Sequence, residues 1–202
     1  MLSLEELSAR RGRDAEQIDT WGLAALRGRL VELSARGASS TLSVAIDIVL
    51  EAQRASEPVA WIMLAASSFY PPDVAENGVD LAALVVVRAC DATAAVRAAE
   101  RLLRSGAFGL VVIDLGQHAN AEIAMALQGR LVTLAQTHDA AVVCLTEKSA
   151  DTPSLGSLVS LRVEALRGRD REGFDLTVRA LKDKRRGPGW SRARKARGPA
   201  GL

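Results

Sequence analysis

Five short apolar runs punctuate the first three-quarters of the chain: Leu30–Leu33, Val59–Ser67, Leu84–Arg88, "FGLVVIDLG" (108–116) and "AAVVCLTEK" (140–148). Runs such as "VAWIMLAAS" do not alternate with polar residues, the pattern of strands buried on both faces. Between them the period changes to that of a helix. Thr41 to Gln53 reads as one helix. "DATAAVRAAERLLRSG" is a second, with Asp91 or Thr93 as cap, Val96, Ala99, Leu102 and Leu103 on one face, and Gly106 as terminator. A third, "ANAEIAMALQGRLVTLAQTH", carries Ile123, Leu127, Leu131 and Leu134 on a shared stripe. "FYPPDVAENGVD" is a Pro/Asn/Gly-rich connection. Alternating strands and helices predict an α/β fold, a mostly parallel sheet flanked by helices on both faces.

Beyond Lys148 the pattern becomes two-residue. Leu158, Leu161, Val163 and Leu166, then Phe174, Leu176, Val178 and Ala180, flank "GRDREG" and predict a C-terminal antiparallel hairpin. "GPGWSRARKARGPAGL" follows, rich in Gly, Pro and Arg, and is expected to be disordered alone. At the other end, Ser3-Leu4-Glu5-Glu6 has the form of a capping box opening a short helix. The predicted division is therefore an N-terminal helical segment (1–18), the α/β domain (19–186) and a basic tail (187–202).

Charge sharpens that division. From Arg179 to Leu202 there are nine basic residues and one acid, a net +8, so the remaining 178 residues carry −6 of the overall +2. A basic end on an acidic body points to an anionic partner. The candidate contact residues are Lys182, Lys184, Arg185, Arg186, Arg192, Arg194, Lys195 and Arg197, with Trp190 able to stack on a base or a partner surface. Aromatics are only 3%, so the core must be built of Leu, Val, Ile and Ala. The N-terminus lacks the pattern of a secretory signal and no segment reaches the roughly 20 apolar residues of a membrane span, which makes a cytoplasmic protein the expectation. Cys90 and Cys144 lack CxxC spacing and read as small buried side chains. His118 and His138 stand apart from any nucleophile or ligand cluster and read as structural or solvated; no metal site is expected.

"GRLVELSARGASSTLSVAIDIVLEAQ" (28–53) has the strand, small-residue loop and helix of a phosphate-binding unit. Gly37, Ser39, Ser40 and Thr41 form the loop, and Asp114 ends a strand where an Mg²⁺-holding acid would stand. Phosphoryl transfer also needs a loop lysine and a group that orients water. No lysine precedes Lys148, Arg36 lies too early, and "LAASSFY" offers Ala and Ser where an activating acid belongs. The expectation is a vestigial site: no catalytic residues, no cofactor and no ATP hydrolysis.

The order of these features resembles the RecA recombinase core. "DTWGLAALRGRLVELSA" is similar to its entry into the first core strand, "GVDLAALVVVRACDATAAVRAAERLLRSGAFGLVVIDLG" to its middle strands ending in the Walker-B acid, and "SLVSLRVEALRGRDREGFDLTVRALKDKRRGP" to its closing strands. The likeness covers roughly Asp19 to Pro188. "GQHANAE" and "EKSADTPSLGS" stand, shortened, where RecA holds single-stranded DNA. A core trimmed in this way is similar to the ImuA-type members of SOS mutagenesis cassettes. That resemblance implies a non-catalytic adaptor in error-prone translesion synthesis. The implied partners are an ImuB-type polymerase homologue, RecA, indirectly a DnaE-type polymerase, and DNA through the basic tail. The N-terminal segment, through Leu4 and Leu7, is implied in self-association or in capping a RecA filament, with a small helix folded back on its own core as an equal reading. Two alternatives stand beside it: an ATPase using a substitute lysine such as Lys148, and a SulA-type inhibitor of cell division.

Overall fold

The computed structural model describes residues 21–64, 69–116, 123–170 and 173–196. A short helix, α1 (Leu23–Leu26), leads into β1 (Arg29–Ser34). Then come α2 (Thr41–Arg54), β2 (Val59–Leu64), α3 (Pro71–Glu76), a 3₁₀ turn at Leu81–Ala83, β3 (Leu84–Ala89) and α4 (Ala92–Arg104). The chain continues through β4 (Leu110–Asp114), α5 (Met125–Thr137), β5 (Ala141–Thr146), β6 (Leu161–Asp170), β7 (Gly173–Asp183) and β8 (Ser191–Ala196). All eight strands form one sheet in the order β3-β2-β4-β5-β1-β6-β7-β8. Neighbours from β3 through β6 pair in parallel, and β7 and β8 close the sheet antiparallel. The predicted α/β class and the closing hairpin are both present.

Strand pleating explains how so apolar a set of runs builds two cores. Val59, Trp61 and Met63 of β2, Leu110 and Val112 of β4 and Val143 of β5 face one side with Val44, Ile48 and Val49 of α2. Ala60, Ile62, Val111, Ile113, Val142 and Cys144 face the other, against Val96, Ala99 and Leu103 of α4 and Leu131 and Ala135 of α5. β2, β4 and β5 are covered on both faces, so their residues are apolar up to their last positions, Asp114 in β4 and Thr146 in β5. Helix α4 starts where Asp91 accepts the Ala94 N–H at 2.7 Å. That bond holds the Asp91 carboxyl below the usual carboxylate range.

Three expectations need correction. β3 is an edge strand among the described residues, not a doubly buried one: Val85 and Val86 are exposed, and no described strand flanks its outer side. Cys90 is exposed, whereas Cys144 is buried as expected. The segment after Arg186 is not without structure, for residues 191–196 pair with β7 from Phe174↔Ala196 to Arg179↔Ser191. The signal was hidden because an edge strand with one solvated face need not be apolar. The N-terminal segment 1–18, His118, Arg197 and the "AASS" residues 65–68 lie outside the described residues. No helix among those described is long and apolar enough to cross a membrane.

Candidate functional site

The C-terminal ends of β1, β4 and β5 meet at the rim where open α/β sheets place ligands. The loop 35–40 leaves β1 there and turns through Gly37, whose φ of +81° suits glycine. It does not stand free of the sheet. Ser39 bridges Leu166, the Arg167 N–H donates to the Ala38 carbonyl at 2.9 Å, and the Ser40 N–H donates to the Ala165 carbonyl at 3.1 Å. The Ser39 N–H donates to the Gly37 carbonyl at 2.7 Å, and the Thr41 N–H to Ser39 Oγ at 3.2 Å. Ser39 Oγ and Thr41 Oγ1 lie 2.7 Å apart. The backbone N–H groups of Ser39, Ser40 and Thr41, leading into α2, are therefore engaged within the protein. Ser40 Oγ is buried with no partner among the described residues.

Asp114 ends β4 as the sequence predicts, 5% exposed, and its Oδ1 accepts the Gly116 N–H at 3.2 Å. It also has a further interaction within the protein. Register places β5 between this acid and the loop strand: Asp114 stands opposite Leu145, and Ser34 opposite Thr146.

The charged residues that meet behind this rim were not singled out as a group from sequence. Glu32, in the middle of β1, is completely buried. Its Oε1 accepts from Thr146 Oγ1 at 3.1 Å and lies 3.4 Å from Lys148 Nζ. Its Oε2 accepts the Leu155 N–H at 2.9 Å and lies 3.8 Å from Arg162 Nε. Lys148 also donates to the Pro153 carbonyl at 3.2 Å, and Arg162 donates to the carbonyls of Ser149, at 2.8 Å, and Thr152. One carboxylate and two cations thus tie the 149–155 loop to the sheet. The available signal was a lone glutamate inside "LVELS", since a charge in a buried strand requires partners. Lys148, the substitute lysine of the ATPase reading, is committed to this cluster and is only 7% exposed.

Several of the basic candidates make contacts within the domain. Lys184, Arg185 and Arg186 sit in the β7–β8 turn, where Lys184 Nζ donates to the Ser157 carbonyl at 2.7 Å and Arg185 Nη2 to the Arg27 carbonyl at 3.2 Å. Burial pulls Lys182 below the ordinary lysine range, helped by the nearby Lys184 charge. Arg194 pairs with Asp47 of α2. Burial pushes the Asp47 carboxyl up while the arginine pulls against it. Arg186, Arg192 and Lys195 also have partners within the protein.

Trp190 packs half-buried on the α2-side core and donates from Nε1 to Asp183 Oδ2 at 3.1 Å. Asp183 also takes Arg29 Nη2 at 2.6 Å and the Arg185 N–H at 2.9 Å. Burial alone would raise this carboxyl, but the Arg185 N–H, Arg29 and Trp190 together hold it below the usual range. The indole thus anchors the β7–β8 turn to the fold.

A parallel sheet with a loop-to-helix turn after its first strand, an acid ending its fourth and an antiparallel closing hairpin defines a RecA-like α/β core. The chain belongs to the RecA N-terminal domain family, whose model matches residues 17–142. It is similar to the RecA proteins of Nocardioides sp., 43% identical over 89 residues, and of Kineococcus radiotolerans, 38% identical over 88. Each match covers 44% of this chain but only 25% of the relative, so the shared part is about a quarter of those proteins. The fold is that of the RadB recombinase crystal structure, with a TM-score of 0.64 at 16% identity over 89% of this chain and 96% of the other.

Proposed function

We propose that this RecA-family chain is a non-catalytic adaptor in damage-induced, error-prone DNA synthesis. It binds an ImuB-type polymerase homologue and RecA, with a DnaE-type polymerase recruited indirectly. The observation that carries the reading is the loop after β1. It contains no lysine, and the N–H groups of Ser39, Ser40 and Thr41 are engaged by Gly37, Ala165 and Ser39. Phosphoryl transfer depends almost wholly on positioned positive charge and donors, and here the loop lysine is missing and these three donors are spoken for. Lys148, held against Glu32, is not placed to substitute without abandoning a buried carboxylate. A RecA-like scaffold without turnover retains its surfaces, which suits it to holding other proteins. The family relationship supports a setting in DNA repair.

The test has two arms. Radiolabelled ATP is offered to the protein and to Asp114→Asn; no turnover above blank is expected in either, and Asp114-dependent turnover would refute the non-catalytic reading. Co-purification from cells before and after DNA damage, at two salt concentrations, is expected to retrieve a Y-family polymerase homologue. Retrieval of neither that protein nor RecA would refute the adaptor role.

A further inference from the structure

Helix α4 carries Arg97, Arg101 and Arg104 at spacings of four and three, all of them exposed. At 3.6 residues per turn they fall within about 60° of one another, a single stripe running about 10 Å along the helix. Arg101 and Arg104 stand in the last turn, where cations complement the negative end of the helix dipole. That accounts for two arginines. It does not account for Arg97, nor for Arg130, which joins the stripe from α5.

Glu100 organises the junction between the two helices. Its Oε1 accepts from Arg104 Nη2 at 2.6 Å, and its Oε2 lies 3.6 Å from Arg130 Nη1. One carboxylate, 11% exposed, thus holds two guanidiniums side by side while those side chains stay 70% and 59% exposed. The other acids near this face have their own places. Asp91 caps the start of α4 through the Ala94 N–H, with Arg97 close by, and Asp139, just past α5, pairs with Arg27. Between them α4 and α5 hold four arginines and one acid. No ion pair joins Arg97 or Arg101 to a carboxylate among the described residues.

The chemistry of the face selects its occupant. Guanidiniums in a row recognise planar oxyanions, and Glu100 shows that a carboxylate fits between two of them. Neither helix contains an aromatic residue, so the bases of a single strand would find nothing to stack on. The stripe is short, and residues 1–178 carry a net −6, which opposes a long polyanion laid across the domain. A short acidic segment can meet the arginines alone.

We infer that Arg97, Arg101 and Arg104 of α4, with Arg130 of α5, form a docking surface for an acidic peptide segment of a partner protein. This goes beyond the adaptor reading and stands without it, because it concerns one surface and the chemistry that fits it.

The test uses the full chain and a fluorescein-labelled hexaglutamate peptide, with binding read by anisotropy at about 0.05 M salt, where surface charges are weakly screened. Arg97→Gln combined with Arg101→Gln is expected to weaken binding about fivefold, the worth of two exposed ion pairs. Arg36→Gln combined with Arg54→Gln removes the same charge from exposed positions elsewhere and should change it less than twofold. Thermal melting should be unaltered in both, since all four side chains are exposed. Equal losses in the two pairs would overturn the proposal, reducing it to net charge, as would the absence of saturable binding by the unaltered protein. A short DNA duplex that binds more tightly than hexaglutamate, through the same two arginines, would overturn it in favour of nucleic acid as occupant.

Discussion

Replacing Asp183 with alanine tests how the basic closing strand is held to the domain. The side chains of Asp183 and Arg29 are 1% and 3% exposed and meet at 2.6 Å. Removing the carboxylate leaves a buried guanidinium without its counter-charge, although Arg29 keeps its bonds to the Ser160 carbonyl and hydroxyl. Breaking a buried pair from one side costs about 3–5 kcal/mol. The orphaned Trp190 N–H adds about 1–3 kcal/mol if it stays buried, but detachment of residues 190–196 would return it to water. Asp183→Ala is therefore expected to lose about 3–5 kcal/mol in urea unfolding, a midpoint shift on the order of 1–2 M at an m-value of about 3 kcal/mol/M. Amide exchange should accelerate across β8 before it does in β4 or β5. Because hydrogen bonds hold the Asp183 carboxyl below its unfolded range, its contribution is complete above that range and vanishes as pH falls through the folded value. The gap between wild type and Asp183→Asn should thus be constant from about pH 5 to 7, start to narrow near about pH 4, and be lost only as pH falls through the lower folded value. A loss under about 0.5 kcal/mol in Asp183→Ala, within the range of unremarkable surface changes, would refute the reasoning.

Glu32→Ala should cost about 3–5 kcal/mol, since it strands Lys148 and Arg162 together, and should expose the 149–155 loop to protease; an unchanged melting temperature would contradict the cluster's role. A thiol reagent should modify one cysteine in the native protein, Cys90, and the second only on unfolding, because burial, reinforced by the Glu32 charge, pushes the Cys144 thiol far up. Two fast-reacting thiols would refute that assignment. Gly106→Ala should destabilise by about 1 kcal/mol or more: φ is +70° and the added carbon would come within 3.0 Å of the His138 ring. Calorimetry decides it, and a stabilised variant would sink the argument.

The sequence by itself determined the α/β core, because doubly buried strands and one-faced helices leave periodicities that survive without contacts. The positions of β1, β2, β4 and β5, the Asp91 cap, the hairpin turn region and the acid ending β4 were all legible in local pattern. Only the tertiary structure decided which strand lies at the edge. Val85 and Val86 have the composition of a buried run, and nothing local records that β3 has one neighbour instead of two among the described strands. Nor does local pattern reveal that "SRARKA" pairs with β7, for its order comes from an anchor at Trp190 and Asp183 and a partner on α2 at Asp47. The missing loop lysine is a fact of sequence. The pairing of the loop with β6, through the Ser40 N–H and the Ala38 carbonyl, and the burial of Lys148 against Glu32, depend on residues far apart in the chain and exist only once the sheet has brought them together. Periodicity reports burial, whereas pairing is a property of distance in space.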